Sequence, residues 1–408
     1  MELHIGPLDG LSGDLLPIEV VERKGRGHPD TLCDGLAEEL SLALCRHYRE
    51  RFGGILHHNV DKVLLRGGAS APAFGGGAIR EPIEIYLAGR ATMEADGHAV
   101  PVETLAIEGS RDWLRRRLPN LDVERHLRIH CLVRAGSRDL VELFRRQHAA
   151  GSHPANDSSI GVGHAPLSRL EQVVLAVERR LNGSAFKSRH PAVGEDIKVL
   201  GCRRRDSVEL TVAVAFVDSR LKGLAEYMAE KAAVAAEAVA VARPFFPGAV
   251  EVVVNAADAP ALGSIYLTVS GTSAEAGDDG SAGRGNRVNG LIAPYRPMTM
   301  ESVAGKNPAS HVGKLYNIAA GLLAERLVRE LPEVAEAQCW LASRIGQPVD
   351  APHAVDIKLR VPGGLPAGLR AAADAIAQAG IRALPRIAGA LIDGDIRLDG
   401  WPLRREED

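Results

Sequence analysis

VERKGRGHPDTLCDGLAEELSLALCRHYRER, residues 21–51, joins a glycine-rich turn to a long amphipathic stretch. Leu32, Leu36, Leu40, Leu44 and Tyr48 recur every four residues and line one face of a helix over 31–51. Thr31, with Asp34 three residues on, resembles a capping box, and Gly53-Gly54 ends the element. Outward from this stretch the period changes. Residues 82–90 alternate, with Ile83, Ile85 and Leu87 on one face and Glu84 and Tyr86 on the other, which predicts a half-buried strand. Further strands are predicted over 126–133, 196–201, 208–217, 249–255 and 264–270. Helices are predicted over 102–117, 168–181, 222–242, 312–330 and 365–379. The mixture predicts an α+β fold, with sheets covered by helices on one side.

The chain has 408 residues, too many for one core, so two or three domains are expected. Breaks near residue 150 (AAGSHPAND) and near 245 (RPFFPGA) divide it into 1–150, 151–245 and 246–408. Apolar residues make up 46 % and charged residues 25 %, which excludes a largely disordered chain. A net charge of −3 and 4 % aromatics argue against a nucleic-acid binder, which needs a basic excess and stacking platforms. The five cysteines are scattered, with no C-x-x-C pair, and read as reduced thiols of a cytoplasmic protein. The first residues carry no signal-peptide pattern, and no apolar run is long enough to span a membrane.

The chemistry concentrates in glycine-rich segments. Gly27-His28-Pro29-Asp30 stands directly before the amphipathic helix. Amide groups there attract phosphate, and Asp30 offers a hard oxygen to a metal that bridges phosphates. The plainer reading is that Asp30 or Thr31 caps the helix and Pro29 fixes the turn. Residues 271–290, GTSAEAGDDGSAGRGNRVNG, set Asp278 and Asp279 among glycines with Arg284 and Arg287 just beyond. Paired carboxylates suit Mg²⁺, and nearby arginines suit phosphate. Gly305-Lys306-Asn307-Pro308, followed by His311 and Lys314, puts a lysine before a helix without the Walker spacing.

Asp196 and Lys198 lie two apart in a predicted strand and share a face, and a surface ion pair is the plainer reading. Asn156-Asp157 reads most simply as a turn. His57-His58 lacks further metal ligands and reads as packing or hydrogen-bonding histidines. The arginine runs 115–117 and 203–205 read as solvated faces. Carboxylates, cations and glycine loops without an activated Ser or Cys fit the handling of a polyphosphate, with ATP the obvious candidate.

These residues carry a resemblance. VERKGRGHPD (21–30), ILHHNVDKV (55–63), APAFGGG (71–77), PANDSSIGVGHAPLS (154–168), PAVGEDIKVLG (191–201), GTSAEAGDDGSAGRGNRVNGLI (271–292) and GKNPASHVGK (305–314) resemble the archaeal-type S-adenosylmethionine synthetases, or methionine adenosyltransferases. The resemblance runs over roughly residues 18–362, and its 271–292 block is highly specific. It implies three αβ subdomains in pseudo-threefold arrangement, paired through their sheets in a homodimer whose active sites lie at the interface. It implies synthesis of S-adenosylmethionine from ATP, methionine and water, with release of phosphate and pyrophosphate. Mg²⁺ is implied as required, with K⁺ as an activator.

Residue by residue, the resemblance makes His28, Lys198, Arg284 and Lys306 catalytic and Glu22 and Asp30 metal-side. Asp157, Asp196, His311, the segment carrying Gly136, Ser137 and Asp139, and one of Asp278 and Asp279 fall on the substrate side. The chain departs from the family pattern at Arg134-Ala135, where Gly-Gln is usual, at His164, where Tyr is usual, and at Cys33, where Ala is usual. Two alternatives stand beside the leading reading: a same-fold adenosyltransferase with a changed thioether acceptor, and a non-catalytic ATP-binding partner.

Overall fold

The computed structural model describes residues 2–136, 154–398 and 400–404. Three sheets form the frame, each with helices on one face and its own buried apolar cluster. The first has the order β1 (Glu2–Pro7), β17 (Ala354–Arg360), β16 (Glu336–Ala342), β10 (Ile160–Ala165). Helices α6 (Val312–Glu330) and α7 (Ala367–Arg382) pack on it. The second has the order β13 (Val250–Val254), β12 (Ser207–Val217), β11 (Val193–Arg204), β2 (Ile18–Lys24), with the short β14 (Leu267–Thr268) beside β12. Helices α3 (Arg169–Leu181) and α5 (Leu224–Ala242) cover it. The third has the order β15 (Gly280–Ser281), β3 (His58–Arg66), β6 (Ile83–Ala91), β9 (Leu127–Ala135). It lies under α1 (Pro29–Phe52) and α2 (Val102–Arg117). The expected α+β layering is therefore present.

Each sheet draws strands from more than one of the segments 1–150, 151–245 and 246–408. β1 pairs in parallel with β17, and β2 pairs with β11. The glycine-rich 271–290 segment stitches the units together. It leaves the second sheet at β14 and adds β15 to the edge of the third. It then returns to the second, where Ile292 and Glu22 exchange backbone hydrogen bonds of 2.9 and 2.8 Å.

The helix over 31–51 is present but begins earlier. His28 is its N-cap, and Pro29 occupies the first turn, where its missing N–H costs nothing. Thr31 does not cap: its hydroxyl donates to the Lys24 carbonyl at 3.0 Å, and Asp34 accepts the Gly283 N–H at 2.8 Å. Gly53 ends the helix at φ 74°, as its lack of a Cβ permits. The predicted strand 264–270 shrinks to Leu267–Thr268, because the N–H groups of Val269 and Ser270 go to the Glu275 carboxylate rather than to a neighbouring strand. The strand predicted to end at 133 continues to Ala135, so Arg134 stands on β9, beside Arg90 of β6, rather than in a loop.

Candidate active site

The site begins where β2 runs out. β11 kinks between Val193 and Ile197, where its register on β12 shifts. The Gly25–His28 turn lies directly against this kink, and the Gly27 N–H donates to the Glu195 carbonyl at 3.0 Å. An added Cβ at Gly27 would sit 2.5 Å from the Asp196 nitrogen, so only glycine lets the turn approach. This contact brings His28 and Asp30 of α1 to the Asp196–Lys198 end of β11.

His28 accepts the Asp30 N–H on Nδ1 at 3.2 Å, so its neutral ring carries the proton on Nε2. Burial depresses the imidazole below its ordinary value against the pull of the Asp196 and Asp30 carboxylates, and Lys24 and Lys198 add to the depression. A neutral donor at pH 7 results. Burial would raise the Asp30 carboxyl, but the Lys24 ammonium at 2.8 Å and the Ser281 N–H at 2.9 Å overcome it and hold the acid below the usual carboxylate range. Asp196 accepts from the Ser273 N–H at 3.0 Å and its hydroxyl at 2.6 Å. Lys198 pairs with Glu22 across β11 and β2 at 3.3 Å.

A second group lies beside the third sheet. Lys306 Nζ sits 2.9 Å from Glu301 and 3.1 Å from Asp61. Burial would lower this ammonium, yet the two carboxylates raise it above its ordinary value. His311 caps α6, and burial, aided by the Lys306 charge, drives its imidazole down to about 3. Lys306, Glu301, Asp61, Lys62 and Arg284 line one open cleft. Arg284 joins the two groups: it lines this cleft, and its carbonyl accepts from Lys24 Nζ at 3.0 Å.

Asp278 and Asp279 have different surroundings. Asp279 accepts the Gly67 N–H at 2.9 Å and fixes the loop to the end of β3. Asp278 is exposed, and its charge, after burial and Asp196, helps to push the Tyr266 hydroxyl up. Asp157 is exposed and caps its own turn through the Ser158 N–H at 2.7 Å. Gly136 follows β9, while Ser137 and Asp139 lie outside the described residues. Lys24, Asp61 and Glu301 were not singled out from sequence. Lys24 sits in the basic run Arg23-Lys24-Gly25-Arg26, which by itself reads as solvated, and the two acids have no glycine-rich setting.

Two departures from the family pattern are structural. His164 is buried, with Nε2 3.1 Å from Glu171, inside a network with Arg296 and Glu336. Burial pushes the Cys33 thiol far up, so it is no nucleophile at neutral pH. The reading of 203–205 as solvated fails at Arg203, which is 1 % exposed and held by Glu19 at 3.1 Å. Strand alternation turns Arg203 inward and Arg204 outward. His58 behaves as expected, with its ring bonded to Ser41 and the Leu56 carbonyl.

A family model described as S-adenosylmethionine synthetase (AdoMet synthetase) matches residues 2–395. The chain belongs to the S-adenosylmethionine synthetase family. It is 53 % identical over 343 residues to a probable S-adenosylmethionine synthase of Aquifex aeolicus, covering 84 % of this chain and 86 % of that one. It is 48 % identical over 346 residues to the S-adenosylmethionine synthase of Pyrococcus furiosus, covering 85 % and 86 %. A solved structure of an unusual S-adenosylmethionine synthetase from Campylobacter jejuni shares the fold, with a TM-score of 0.61 at 14 % identity, covering 94 % and 90 %. The chain is thus a methionine adenosyltransferase, making S-adenosylmethionine from ATP and methionine, and the alternatives of a changed acceptor or a non-catalytic partner are not favoured.

Proposed function

We propose that the His28–Lys198 group and the Lys306–Arg284 group act on the phosphate chain of ATP while the thioether sulfur of methionine attacks the ribose C5′. One observation carries this reading: Lys24, Lys198 and Lys306 are each held by carboxylates at 2.8–3.3 Å around a turn and cleft that an anion can enter. A thioether has no proton to lose, so no general base is needed. The difficult part is tripolyphosphate departure, which charge stabilisation and positioning serve. Neutral His28 donates from Nε2 to the leaving oxygen. Lys198 and Arg284 meet phosphate oxygens, Lys306 the far end of the chain, and Asp278 the methionine side. Water then cleaves tripolyphosphate to phosphate and pyrophosphate.

A divalent metal and a monovalent cation belong with this chemistry, and we assign them as Mg²⁺ and K⁺. Among the described residues, no cluster of three or more His, Cys, Asp or Glu side chains could hold a metal alone. Asp30 nevertheless fits: among the described residues its Oδ2 is held by the Lys24 ammonium alone, and Mg²⁺ takes one or two carboxylates with phosphate oxygens and water for the rest. Glu22 lies on the same edge, paired with Lys198. When bound, the metal neutralises phosphate charge.

A homodimer with active sites at its interface fits the open sheet faces. Opposite its helices, the second sheet presents the cross-strand row Glu22, Leu200, Thr211, Val253, and the third presents Leu64, Tyr86, His130. Leu200 and Leu64 are 37 % and 50 % exposed, an unusual load of apolar surface for a free sheet face. A partner covering the first row would reach Glu22 and Lys198. No helix among the described residues is long and apolar enough to cross a membrane. The five cysteines are free, which fits a reducing, cytoplasmic setting, and a net charge of −3 offers no basic excess to a nucleic acid. Incubation with ATP, Mg²⁺ and methionine, following product mass and phosphate release together, tests the proposal. ATP hydrolysis without a sulfonium product overturns it.

A further inference from the structure

Lys24 has an unusual combination of a fixed backbone and a movable charge. Its main chain is held on both edges of β2. On one side it is in register with Lys198 of β11. On the other, its N–H donates to Asn286 Oδ1 at 3.0 Å and its carbonyl accepts Asn286 Nδ2 at 2.8 Å. The side chain lies only 13 % exposed, with Nζ between Asp30 Oδ2 at 2.8 Å and the Arg284 carbonyl at 3.0 Å. Asp30 thus has one oxygen committed to a backbone amide, that of Ser281, and the other to a charge on a flexible four-carbon stem.

We infer that Lys24 is a resident counter-cation of Asp30, competing with the divalent metal for Oδ2 and turning to the polyphosphate when the metal–nucleotide complex binds. The inference rests on Asp30 being the metal ligand proposed above. Two cations cannot share that oxygen at contact distance without strong repulsion. An ammonium has three donors and no acceptor, so a displaced Lys24 needs another anion. The polyphosphate is the anion that arrives with the metal. The Arg284 carbonyl holds the ammonium beside the segment that lines the cleft. Because β11 and Asn286 fix the Lys24 backbone, only the side chain has to move. In the free protein Lys24 balances the charge of the Asp30 carboxylate; in the loaded site it adds a phosphate contact.

Mn²⁺ is the probe, read by the electron paramagnetic resonance signal of the free ion with nucleotide-free protein. Lys24→Met is expected to bind Mn²⁺ about tenfold or more tightly than the unmodified protein, because the competing charge is gone. Lys24→Gln, which keeps a donor but no charge, must show the same gain, so a folding defect in one variant leaves the test intact. Asp30→Asn in the Lys24→Met background must abolish the gain. With Mn²⁺ present, tripolyphosphate should bind Lys24→Met about tenfold more weakly, for the loss of one charge-assisted contact. Unchanged Mn²⁺ affinity in both Lys24 variants, with Asp30→Asn still losing Mn²⁺–tripolyphosphate, overturns the inference and leaves the Asp30 assignment standing. Equal affinities in all variants, with and without tripolyphosphate, overturn both.

Discussion

Gly27→Ala should disable the enzyme through a single methyl group placed away from any reacting atom. The ideal Cβ would lie 2.5 Å from the Asp196 nitrogen and the Glu195 carbonyl carbon, and 2.9 Å from the Glu195 Cβ. Carbon contacts are comfortable near 3.5 Å, so the turn must retreat from β11 by about 0.5–1 Å. None of these neighbours is the end of a flexible side chain, so the backbone has to yield. The retreat loosens the Gly27 N–H bond to Glu195 and the Thr272 hydroxyl bond to the Gly27 carbonyl, 3.0 and 2.7 Å long. Overpacking of this kind costs about 1–3 kcal/mol of stability. Activity should suffer more, because His28 and Asp30 move with the turn while Asp196 and Lys198 stay on β11. A misplacement near 1 Å costs about 10²-fold in rate. Steady-state kcat with ATP and methionine, beside a circular dichroism melt, measures both effects. A Gly27→Ala enzyme with native secondary structure and kcat within threefold of the parent would refute the reasoning, since the turn would then not need to touch β11.

Lys198→Met and Arg284→Leu should each slow turnover by about 10²-fold, or about 3 kcal/mol, with unaltered circular dichroism; near-normal rates in both would make them surface charges. Arg203→Met strands the buried Glu19 carboxylate and should lower stability by about 3–5 kcal/mol in urea titrations, against no change if the pair were dispensable. His58 and His311 both titrate near 3 in the folded protein against 6.5 when free, so the unfolded chain binds protons first as pH falls. Stability is therefore full above pH 6.5 and is lost below it, by about 1.4 kcal/mol per pH unit per histidine. The urea midpoint should fall between pH 7 and 5, and less steeply in His58→Asn. Leu64→Glu with Leu200→Glu should convert a dimer to monomers by light scattering; a parent that is already monomeric and fully active at nanomolar concentration would remove the interface altogether.

Local periodicity was enough for most helices. The 102–117 and 312–330 predictions coincide with α2 and α6, because an apolar stripe at helical spacing depends only on neighbours within two turns. The candidate chemistry was legible for a similar reason: phosphate and Mg²⁺ call for cations, hard oxygens and glycine amides, and these residue types cluster in short glycine-rich segments. What failed to show was anything fixed by a distant partner. β2 was not recognised as a strand because its inward face carries Glu19, Val21 and Arg23, and the two charges are tolerable only against Arg203 and Glu178 from elsewhere in the chain. The same partner explains why Arg203 is buried within a run that looks solvated. β1 and β17 form one ladder across some 350 residues, a pairing no local pattern encodes. The electrostatics of the site belong to this second category. Lys306 meets Asp61 of β3 from far along the chain, and the Lys24–Asp30 pair, close in sequence, is completed by the Ser281 N–H and the Arg284 carbonyl that the 271–290 segment brings to it. Composition supplied the charges; tertiary packing decided which of them neutralise one another before a polyphosphate arrives.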